Sequence, residues 1–451
     1  MRHIHFVGIG GIGMSGLAEV LHARGFVITG SDAVESENTI MLRQKGIDVF
    51  IGHKAAHVNG ADLVVYSSAV NPVTNPETQQ AQQCGIPLVR RAELLAHVTR
   101  LGPSLAIAGT HGKTTTTSLC GLVLIHGGFD PTVIVGGRLH DFGGSNARIG
   151  NGQWFVVEAD EYDRSFLHLT PTIAVITNVE PEHLDVYGSA EAVEEAFRAF
   201  ATRVCLLGAL VICGDDPGCR RVVMNLPHRV VTYGFSHGCD FRAIRISSQE
   251  HQWIWQVLRH ESVLGTLHLQ IPGEHNALNA LAAVAVGIEL GIPFEVIAQA
   301  LNTFQGVVRR FQVLGQRNGV FVVDDYAHHP TEVRATLQTA RQVFPMRRIV
   351  AVFQPHTYTR TRDFAAEFAQ ALGAADVALV TDVYPAREPP IEGVSGEMIV
   401  QMFPHAAVHY VPTLEDVEHL LEQVLQPGDV LLTMGAGNIV RIAHQYLQKA
   451  N

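Results

Sequence analysis

Ser104-Leu105-Ala106-Ile107-Ala108-Gly109-Thr110-His111-Gly112-Lys113-Thr114-Thr115-Thr116 runs from small and apolar residues through a glycine-containing turn into a lysine and three threonines. The apolar run, bounded by a turn, reads as a buried strand, and Lys113 to about His126 reads as the helix that follows it. A strand feeding a helix through such a turn aims the first N–H groups of the helix, and the positive end of its dipole, at whatever occupies the turn. The residue types suit a nucleotide phosphate: loop amides, the Lys113 ammonium for the β and γ oxygens, and the Thr114 hydroxyl for Mg²⁺. The full G-x-x-x-x-G-K-[ST] pattern would place a glycine where Ile107 stands, so the match is to its G-K-T-T core.

Working outward, a second strand, glycine turn and helix opens the chain. His3 to Val7 is apolar and strand-like, and Gly8-Ile9-Gly10-Gly11-Ile12-Gly13 satisfies G-x-G-x-x-G before helix-like periodicity over Leu17 to Ala23. Asp32 lies about one strand–helix–strand step further on, where an acid can meet a ribose hydroxyl. Taken alone, this turn suits NAD or FAD, a UDP-sugar, or a structural bend. Together, the two turns imply two different phosphorylated ligands on one chain.

Strands continue to alternate with helices at Asp62 to Ser67, Trp154 to Val157, Thr172 to Ile176, Val320 to Val323, Ile349 to Phe353, Val377 to Thr381 and Val430 to Thr433. Helices are expected over Glu93 to Thr99, Ala190 to Thr202, Asn276 to Leu290, after Pro330 and from Asp363. The pattern predicts an α/β protein with mostly parallel sheets covered on both faces. Between Phe241 and Ile271 strict alternation, as in Trp253-Ile254-Trp255-Gln256-Val257, predicts a small antiparallel patch instead. Breaks at Gly102-Pro103 and Gly315 to Gly319, with a length of 451 residues, predict three domains over 1–101, 102–313 and 314–451.

Composition excludes several classes. With 47% apolar and 17% charged residues the chain is neither disordered nor a coiled coil. A formal charge of −11 gives no general attraction to polyanions, so no nucleic-acid partner is expected and phosphates must be held locally. No apolar run is long enough to cross a membrane and the N-terminus does not read as a signal peptide, which predicts a cytoplasmic protein. The six cysteines have no C-x-x-C spacing and read as reduced thiols.

The phosphate turn Gly109-Thr110-His111-Gly112-Lys113-Thr114-Thr115-Thr116 resembles the ATP loop of the Mur ligases, the amide-forming enzymes of peptidoglycan precursor synthesis. The resemblance continues in order through Glu158-Ala-Asp-Glu-Tyr-Asp163, Thr177-Asn-Val-Glu-Pro-Glu-His183-Leu-Asp185, Gly273-Glu-His-Asn276-Ala-Leu-Asn279, Arg309-Arg310-Phe311, Asp324-Asp-Tyr-Ala-His-His-Pro330 and Gly435-Ala-Gly-Asn438. The glycine-rich start and Phe353-Gln-Pro-His-Thr-Tyr-Thr-Arg-Thr361 are similar to the branch that joins L-alanine to UDP-N-acetylmuramate. A neighbouring branch attaches a ready-made tripeptide to the same sugar. The implied fold is an N-terminal Rossmann-like UDP-binding domain, a central P-loop ATPase-like domain and a C-terminal Rossmann-like domain.

What the resemblance implies about residues is carried over position by position. Gly109, Thr110, His111, Gly112, Lys113, Thr114 and Thr115 hold ATP, with Asn276 and Asn279 at the adenine and Asp325 at the ribose. Glu158 and His183 join Thr114 in binding Mg²⁺. Gly10, Gly11 and Gly13 receive the diphosphate of the UDP-sugar, with Asp32, His53 and Ser68 around the nucleotide. Tyr326, His328 and Arg360 line the amino-acid site, and Arg310, beside the alternative Arg309, meets phosphoryl charge. Some relatives carry a carbamylated lysine in the central domain; here no lysine stands between Lys113 and Lys449, so that group is chemically unavailable. An NAD-dependent oxidoreductase would leave Lys113 to Thr116 without a role, and a nonenzymatic nucleotide switch would leave Gly8 to Gly13 without one.

Overall fold

Apolar strands alternating with helices build three sheets in a computed structural model that describes residues 2–137, 145–249, 252–386, 388–403 and 407–449. The first sheet is wholly parallel, in the order Asp48–Ile51, Val27–Asp32, His3–Val7, Leu63–Tyr66, Leu88–Arg90. His3–Val7 is followed by a strand on one side and flanked by a later strand on the other, so the strand order reverses at its carboxyl end. Open α/β sheets bind ligands at that crevice, and Gly8 to Gly13 occupies it.

The second sheet repeats the device. Ser104–Ala108 lies between Ile173–Ile176 and Phe155–Glu158, all parallel, and the turn Gly109 to Gly112 leaves its carboxyl end. The sheet extends through Ala209–Cys213 and Val230–Gly234 on one side and Thr132–Ile134 and Ala147–Arg148 on the other. It ends in Phe241–Gln249, Gln252–Arg259 and Ser262–Leu269, neighbours in that order. Only two residues, His260 and Glu261, join the last pair, and both have positive φ. So short a connection forces the antiparallel hairpin that the alternation predicts there. Residues 250 and 251 of that stretch lie outside the described residues.

The third sheet runs Gln312–Arg317, Val320–Asp325, Val430–Met434, Ile349–Phe353, Val377–Val380, Val408–Tyr410, parallel except for the first pair. Both of its faces are covered. Val323, Ala351, Phe353, Leu432 and Met434 belong to one apolar cluster, and Val322, Val350, Val352 and Leu431 belong to the other. Side chains alternate across a strand, so continuous apolar runs are what a doubly covered sheet requires.

The chain divides into two compact units. One comprises Met1–Ile246, Ile254–His268 and Ala277–Gln305, and the other Ser247–Trp253, Leu269–Asn276 and Gly306–Asn451. One expected element differs. The helix expected from Asp363 begins earlier, at Tyr358, and is interrupted at Phe364 before Ala365–Leu372. The reason is local: Thr359 N–H and Oγ1 both donate to Glu388, at 2.9 and 2.5 Å, and hold an extra turn that periodicity does not signal. Among the described residues no helix is long and apolar enough to cross a membrane, and all six cysteines are free.

The first sheet carries a buried carboxylate that its helix alone would not tolerate. Glu77 is fully buried and accepts from Ser31 Oγ at 2.5 Å, His57 Nδ1 at 2.6 Å and His53 Nδ1 at 3.1 Å. Burial disfavours its charge, but hydrogen bonds from His5, Ser31 and His57 overcome that and hold it at about 2, below the ordinary 4.5. A depressed folded value stabilises the protein above pH 4.5 and is lost as pH falls towards 2. We therefore expect Glu77→Gln to lose roughly 2–3 kcal/mol at neutral pH. Its urea stability should also fall less steeply than the wild type's between pH 4.5 and 2, and parallel pH slopes would contradict this.

Candidate active site

The turn after Ser104–Ala108 is built by close approach. Gly109 and Gly112 have φ of +145° and +80°, and a Cβ at either would meet Thr177 Oγ1 at 1.9 Å or Asn279 Oδ1 at 2.6 Å. Only glycine fits both the conformation and the space. The segment after Ile173–Ile176 clamps the turn. His111 N–H donates to Asn178 Oδ1 at 2.7 Å, Thr177 Oγ1 donates to the His111 carbonyl at 2.5 Å, and Thr110 N–H donates to the Asn178 carbonyl at 3.1 Å. The next helix, Lys113–His126, is buried from Thr114 through Leu124, so the turn stands on a fixed base. Thr116 Oγ1 donates to Asn279 Oδ1 at 3.1 Å, which places Asn279 beneath the phosphate turn.

Lys113 is held in place before any ligand arrives. Its Nζ donates to the carbonyls of Gly109 at 2.7 Å and Thr110 at 3.0 Å and to Glu161 Oε1 at 2.8 Å. Burial opposes its charge, and Glu161 and Asp160 outweigh burial, so the ammonium stays protonated well above the ordinary lysine range. Glu161 itself is pushed up to about 8, chiefly by burial, against the pull of Lys113, with Asp160 and Glu182 adding repulsion. Ligand atoms of Glu161, Glu182 and His183 all lie within 4.8 Å of one another. Thr114 Oγ1 donates to Glu158 at 3.0 Å, and the Glu158 carboxylate also accepts from Gly136 N–H at 2.7 Å. Of the expected metal residues, Thr114 and Glu158 are hydrogen-bonded to each other, and His183 lies with Glu161 and Glu182.

At the first glycine turn, Gly10 N–H donates to Asp32 Oδ2 at 2.8 Å, and the Gly10 carbonyl accepts from Asn38 Nδ2 at 2.7 Å. Asp32 therefore braces the turn with one oxygen. Gly11 is the N-cap of Ile12–Ala23 and places no side-chain cap on its N–H groups. His53 is tied through Nδ1 to Ser31 and Glu77, and Ser68 lines a cleft with Arg90, Arg91, Asp160 and Tyr162.

In the second unit, a row of polar rings lies at the carboxyl ends of the third sheet. Arg310 lies over the Tyr326 ring at 5.5 Å; Tyr326 meets His328 at 5.4 Å and His328 meets His356 at 5.7 Å. His356 stacks on Tyr384 at 5.8 Å, and its Nδ1 lies 3.4 Å from Arg360 Nη1. Burial pushes His356 down to about 3, helped by His328 and Arg360, so its Nδ1 is a free acceptor towards the guanidinium. Thr357, which starts the Arg360 helix, has φ +68°, a costly conformation for a β-branched residue, and Tyr384 O fixes it by accepting its N–H at 3.0 Å. Arg309 is fully committed to Asp324 at 2.9 Å and to the carbonyls of Gly435 and Gly437. Arg310 lies 3.5 Å from Glu332. Asp325 accepts from Phe311 N–H and Ala327 N–H, each at 2.7 Å, and burial raises it to about 6. Asn276 Nδ2 donates to the Pro272 carbonyl at 2.6 Å.

Comparison with known proteins accounts for this combination. The Mur ligase family catalytic domain matches residues 3–102, the Mur ligase middle domain 107–287, and the Mur ligase glutamate ligase domain 309–437. A UDP-N-acetylmuramate–L-alanine ligase from Salinibacter ruber is 50% identical over 99% of this chain and 95% of its own length. The chain belongs to the Mur ligase family. A second such ligase, from Sorangium cellulosum, is 49% identical to this Mur ligase over 97% of the chain and 94% of its own length. The crystal structure of the UDP-N-acetylmuramate–alanine ligase of Thermotoga maritima superposes with a TM-score of 0.84 at 32% identity, covering 99% of both chains. A murein peptide ligase from Psychrobacter arcticus shares the fold at 24% identity and a TM-score of 0.74, covering 99% of this chain and 98% of its own.

Sequence reasoning missed several residues of this Mur ligase. Thr177 and Asn178 steady the phosphate turn, and Glu161 binds Lys113 directly. His356 and Tyr384 support Arg360, and Glu332 lies against both Arg310 and His328. Glu332 had a readable signal, because it stands three residues after His329, with Pro330 between them, as in a capping box. Thr177 stands in the sequence only as the first residue of the 177–185 resemblance, and its role depends on two strands separated by about 70 residues of chain.

Proposed function

We propose that this Mur ligase uses ATP to join the lactyl carboxylate of UDP-N-acetylmuramate to the amino group of L-alanine, in peptidoglycan precursor synthesis. The observation that carries this reading is the 50% identity to a ligase of that name over 99% of the chain. The domains are assigned as 1–101 for the UDP-sugar, 102–313 for ATP and 314–451 for the amino acid, and its nucleotide substrates place the enzyme in the cytoplasm.

A carboxylate resists attack by an amine because its oxygen leaves poorly and its charge repels nucleophiles. Transfer of the γ-phosphoryl group to the lactyl carboxylate forms an acyl phosphate and releases ADP. The amine then adds to the acyl carbon, and collapse of the tetrahedral adduct expels phosphate. Such steps are accelerated by alignment and charge neutralisation, so no protein nucleophile is needed.

The turn Gly109 to Thr115 binds ATP, Lys113 neutralises β- and γ-phosphate oxygens, and Arg310 is assigned to phosphoryl charge. Asn276 and Asn279 are assigned to adenine and Asp325 to the ATP ribose. Gly10, Gly11 and Gly13 are assigned to the diphosphate of the sugar, with Asp32, His53 and Ser68 around its nucleotide. Tyr326, His328 and Arg360 hold the amino acid.

The middle domain also fits Mg²⁺. Asp160 and Glu182 each repel Glu161, and Thr114 and Glu158 add hard oxygen donors. Thr114, Glu158 and His183 would hold the ion, with Glu161 and Glu182 beside His183. Bound there, it would supply positive charge to the phosphate oxygens.

ADP release tests this scheme with each substrate omitted in turn. Full turnover should require ATP, UDP-N-acetylmuramate and L-alanine together. With no lysine available for carbamylation between Lys113 and Lys449, the rate should be the same in CO₂-free buffer. Loss of activity restored by bicarbonate would contradict the assigned centre.

A further inference from the structure

We infer that Asn146 is a positioning residue for phosphoryl transfer, tying the first glycine turn to the carboxylate of Glu158; this rests on the proposed reading of that turn as the UDP-sugar site and of Glu158 as a metal residue. The tie runs through one side chain and one peptide unit. Asn146 Nδ2 donates to the carbonyl of Ile12, which stands between Gly11 and Gly13 and opens the helix Ile12–Ala23. The carbonyl of Asn146 itself accepts from Val135 N–H at 2.9 Å. The next N–H along, that of Gly136, donates to Glu158 Oε2 at 2.7 Å, and Thr114 Oγ1 donates to the same oxygen at 3.0 Å. A single thread of hydrogen bonds and peptide units therefore leads from the first glycine turn to the phosphate-turn helix.

Both ends of the thread are built by close approach. A Cβ on Gly16, inside the helix Ile12–Ala23, would meet Asn146 Nδ2 at 2.9 Å and Ala147 Cβ at 3.4 Å. A Cβ on Gly136 would meet both carboxylate oxygens of Glu158 at 2.8 Å. Glycine is disfavoured in a helix interior, so at Gly16 it is the space for Asn146 that accounts for it. Residues 145–147 are pinned beside the tie as well, because Ser145 Oγ donates to buried Glu19 at 3.3 Å and accepts from Ala147 N–H at 3.1 Å. Asn146 is 2% exposed, and its Oδ1 has no partner among the described residues. A buried amide left half satisfied is costly, and packing alone would be better served by an apolar side chain. The bond that Nδ2 makes to Ile12 is what accounts for an asparagine there.

The two glycine turns leave different sheets, so their separation is set by what crosses between them. Phosphoryl transfer needs the lactyl carboxylate and the γ-phosphate in line, and a misplacement of about 1 Å can cost about 10²-fold in rate. A directional hydrogen bond between buried groups fixes register more sharply than apolar contact, which can slide. Asn146 acts through the Ile12 peptide on one side and through Glu158 on the other.

Variants of the full chain test the proposal: Asn146→Ala, which removes the donor, Gly16→Ala, whose Cβ displaces the amide while raising helix propensity, and the two combined. First-turnover ADP formation, followed by rapid quench with ATP, Mg²⁺, UDP-N-acetylmuramate and L-alanine all saturating, is expected to slow about tenfold or more in each. Calorimetric affinities for UDP-N-acetylmuramate alone and for ATP alone should stay within about twofold of wild type, and the double variant should be no slower than the single ones, because both remove one tie. In the ligand-free chain, hydrogen exchange at the Gly136 amide should speed up in Gly16→Ala, although the substitution lies in the helix of another sheet. An unchanged first-turnover rate in the single variants would overturn the proposal, as would additive losses or unaltered exchange at Gly136. A parallel loss of UDP-N-acetylmuramate affinity would place Asn146 in sugar binding and overturn the positioning role. Slowing in Asn146→Ala alone, together with lower thermal stability, would make the residue structural. A wild type that forms no ADP from these substrates would sink the ligase reading itself and the proposal with it.

Discussion

Lys113→Met is expected to lower ADP formation by roughly 10³-fold or more, since removing one preorganised donor to developing charge already costs about 10²–10³. Binding of UDP-N-acetylmuramate should remain within about twofold of wild type, because substitutions at distant sites with no shared partners act independently. The expected loss is large because Lys113 serves two ends. It is assigned to the charge of the β- and γ-phosphates, and it fixes the turn through the carbonyls of Gly109 and Thr110. It also compensates Glu161, which is buried beside Asp160 and Glu182. Methionine keeps most of the side-chain volume, and pairing it with Glu161→Gln removes the carboxylate left without its cation. A double variant of wild-type thermal stability that still forms ADP normally would remove Lys113 from the chemistry.

Arg360→Ala is expected to raise the apparent KM for L-alanine by about 30- to 1,000-fold, corresponding to a loss of about 2–4 kcal/mol for a charged hydrogen-bond partner at a partly buried site. The KM for ATP should change little. A free amino acid presents a carboxylate, and a planar guanidinium can bond both its oxygens. The structure adds a reason why Arg360 is poised for this. His356 stays neutral and offers Nδ1 to the guanidinium, Tyr384 stacks on His356, and Tyr384 O fixes the strained Thr357 that starts the helix. His356→Phe should therefore reproduce part of the L-alanine defect without touching ATP. Unchanged KM for L-alanine in Arg360→Ala would assign the carboxylate elsewhere.

Much of this architecture is legible in the chain because its signals are local. The strand Ser104–Ala108, the turn and the helix Lys113–His126 are contiguous, and each has a distinct period or punctuating residue. The same holds for His3–Val7 and the helix Ile12–Ala23, although the helix begins within the glycine turn, earlier than its apolar periodicity shows. Interactions closed by topology are less legible. Thr177 reaches the phosphate turn because Ile173–Ile176 pairs with Ser104–Ala108, and no spacing encodes that pairing. Asn279 likewise meets Thr116 across 163 residues. Arg309 and Arg310 are indistinguishable as letters; in the fold Arg309 binds buried Asp324 and the Gly435 and Gly437 carbonyls, whereas Arg310 lies against Glu332 and the Tyr326 ring. The early start of the Arg360 helix depends on Glu388, which lies in a loop with no periodic signal of its own.

ADP release with UDP-N-acetylmuramate and ATP across a panel of amines tests the central claim most directly, because phosphate-turn chemistry is common to every Mur ligase and amine choice is not. With L-alanine, glycine, L-serine and the L-alanyl-γ-D-glutamyl-meso-diaminopimelate tripeptide assayed in parallel, the highest kcat/KM is expected for L-alanine. A decisive preference for the tripeptide would contradict the account and make the chain a ligase of preformed peptides.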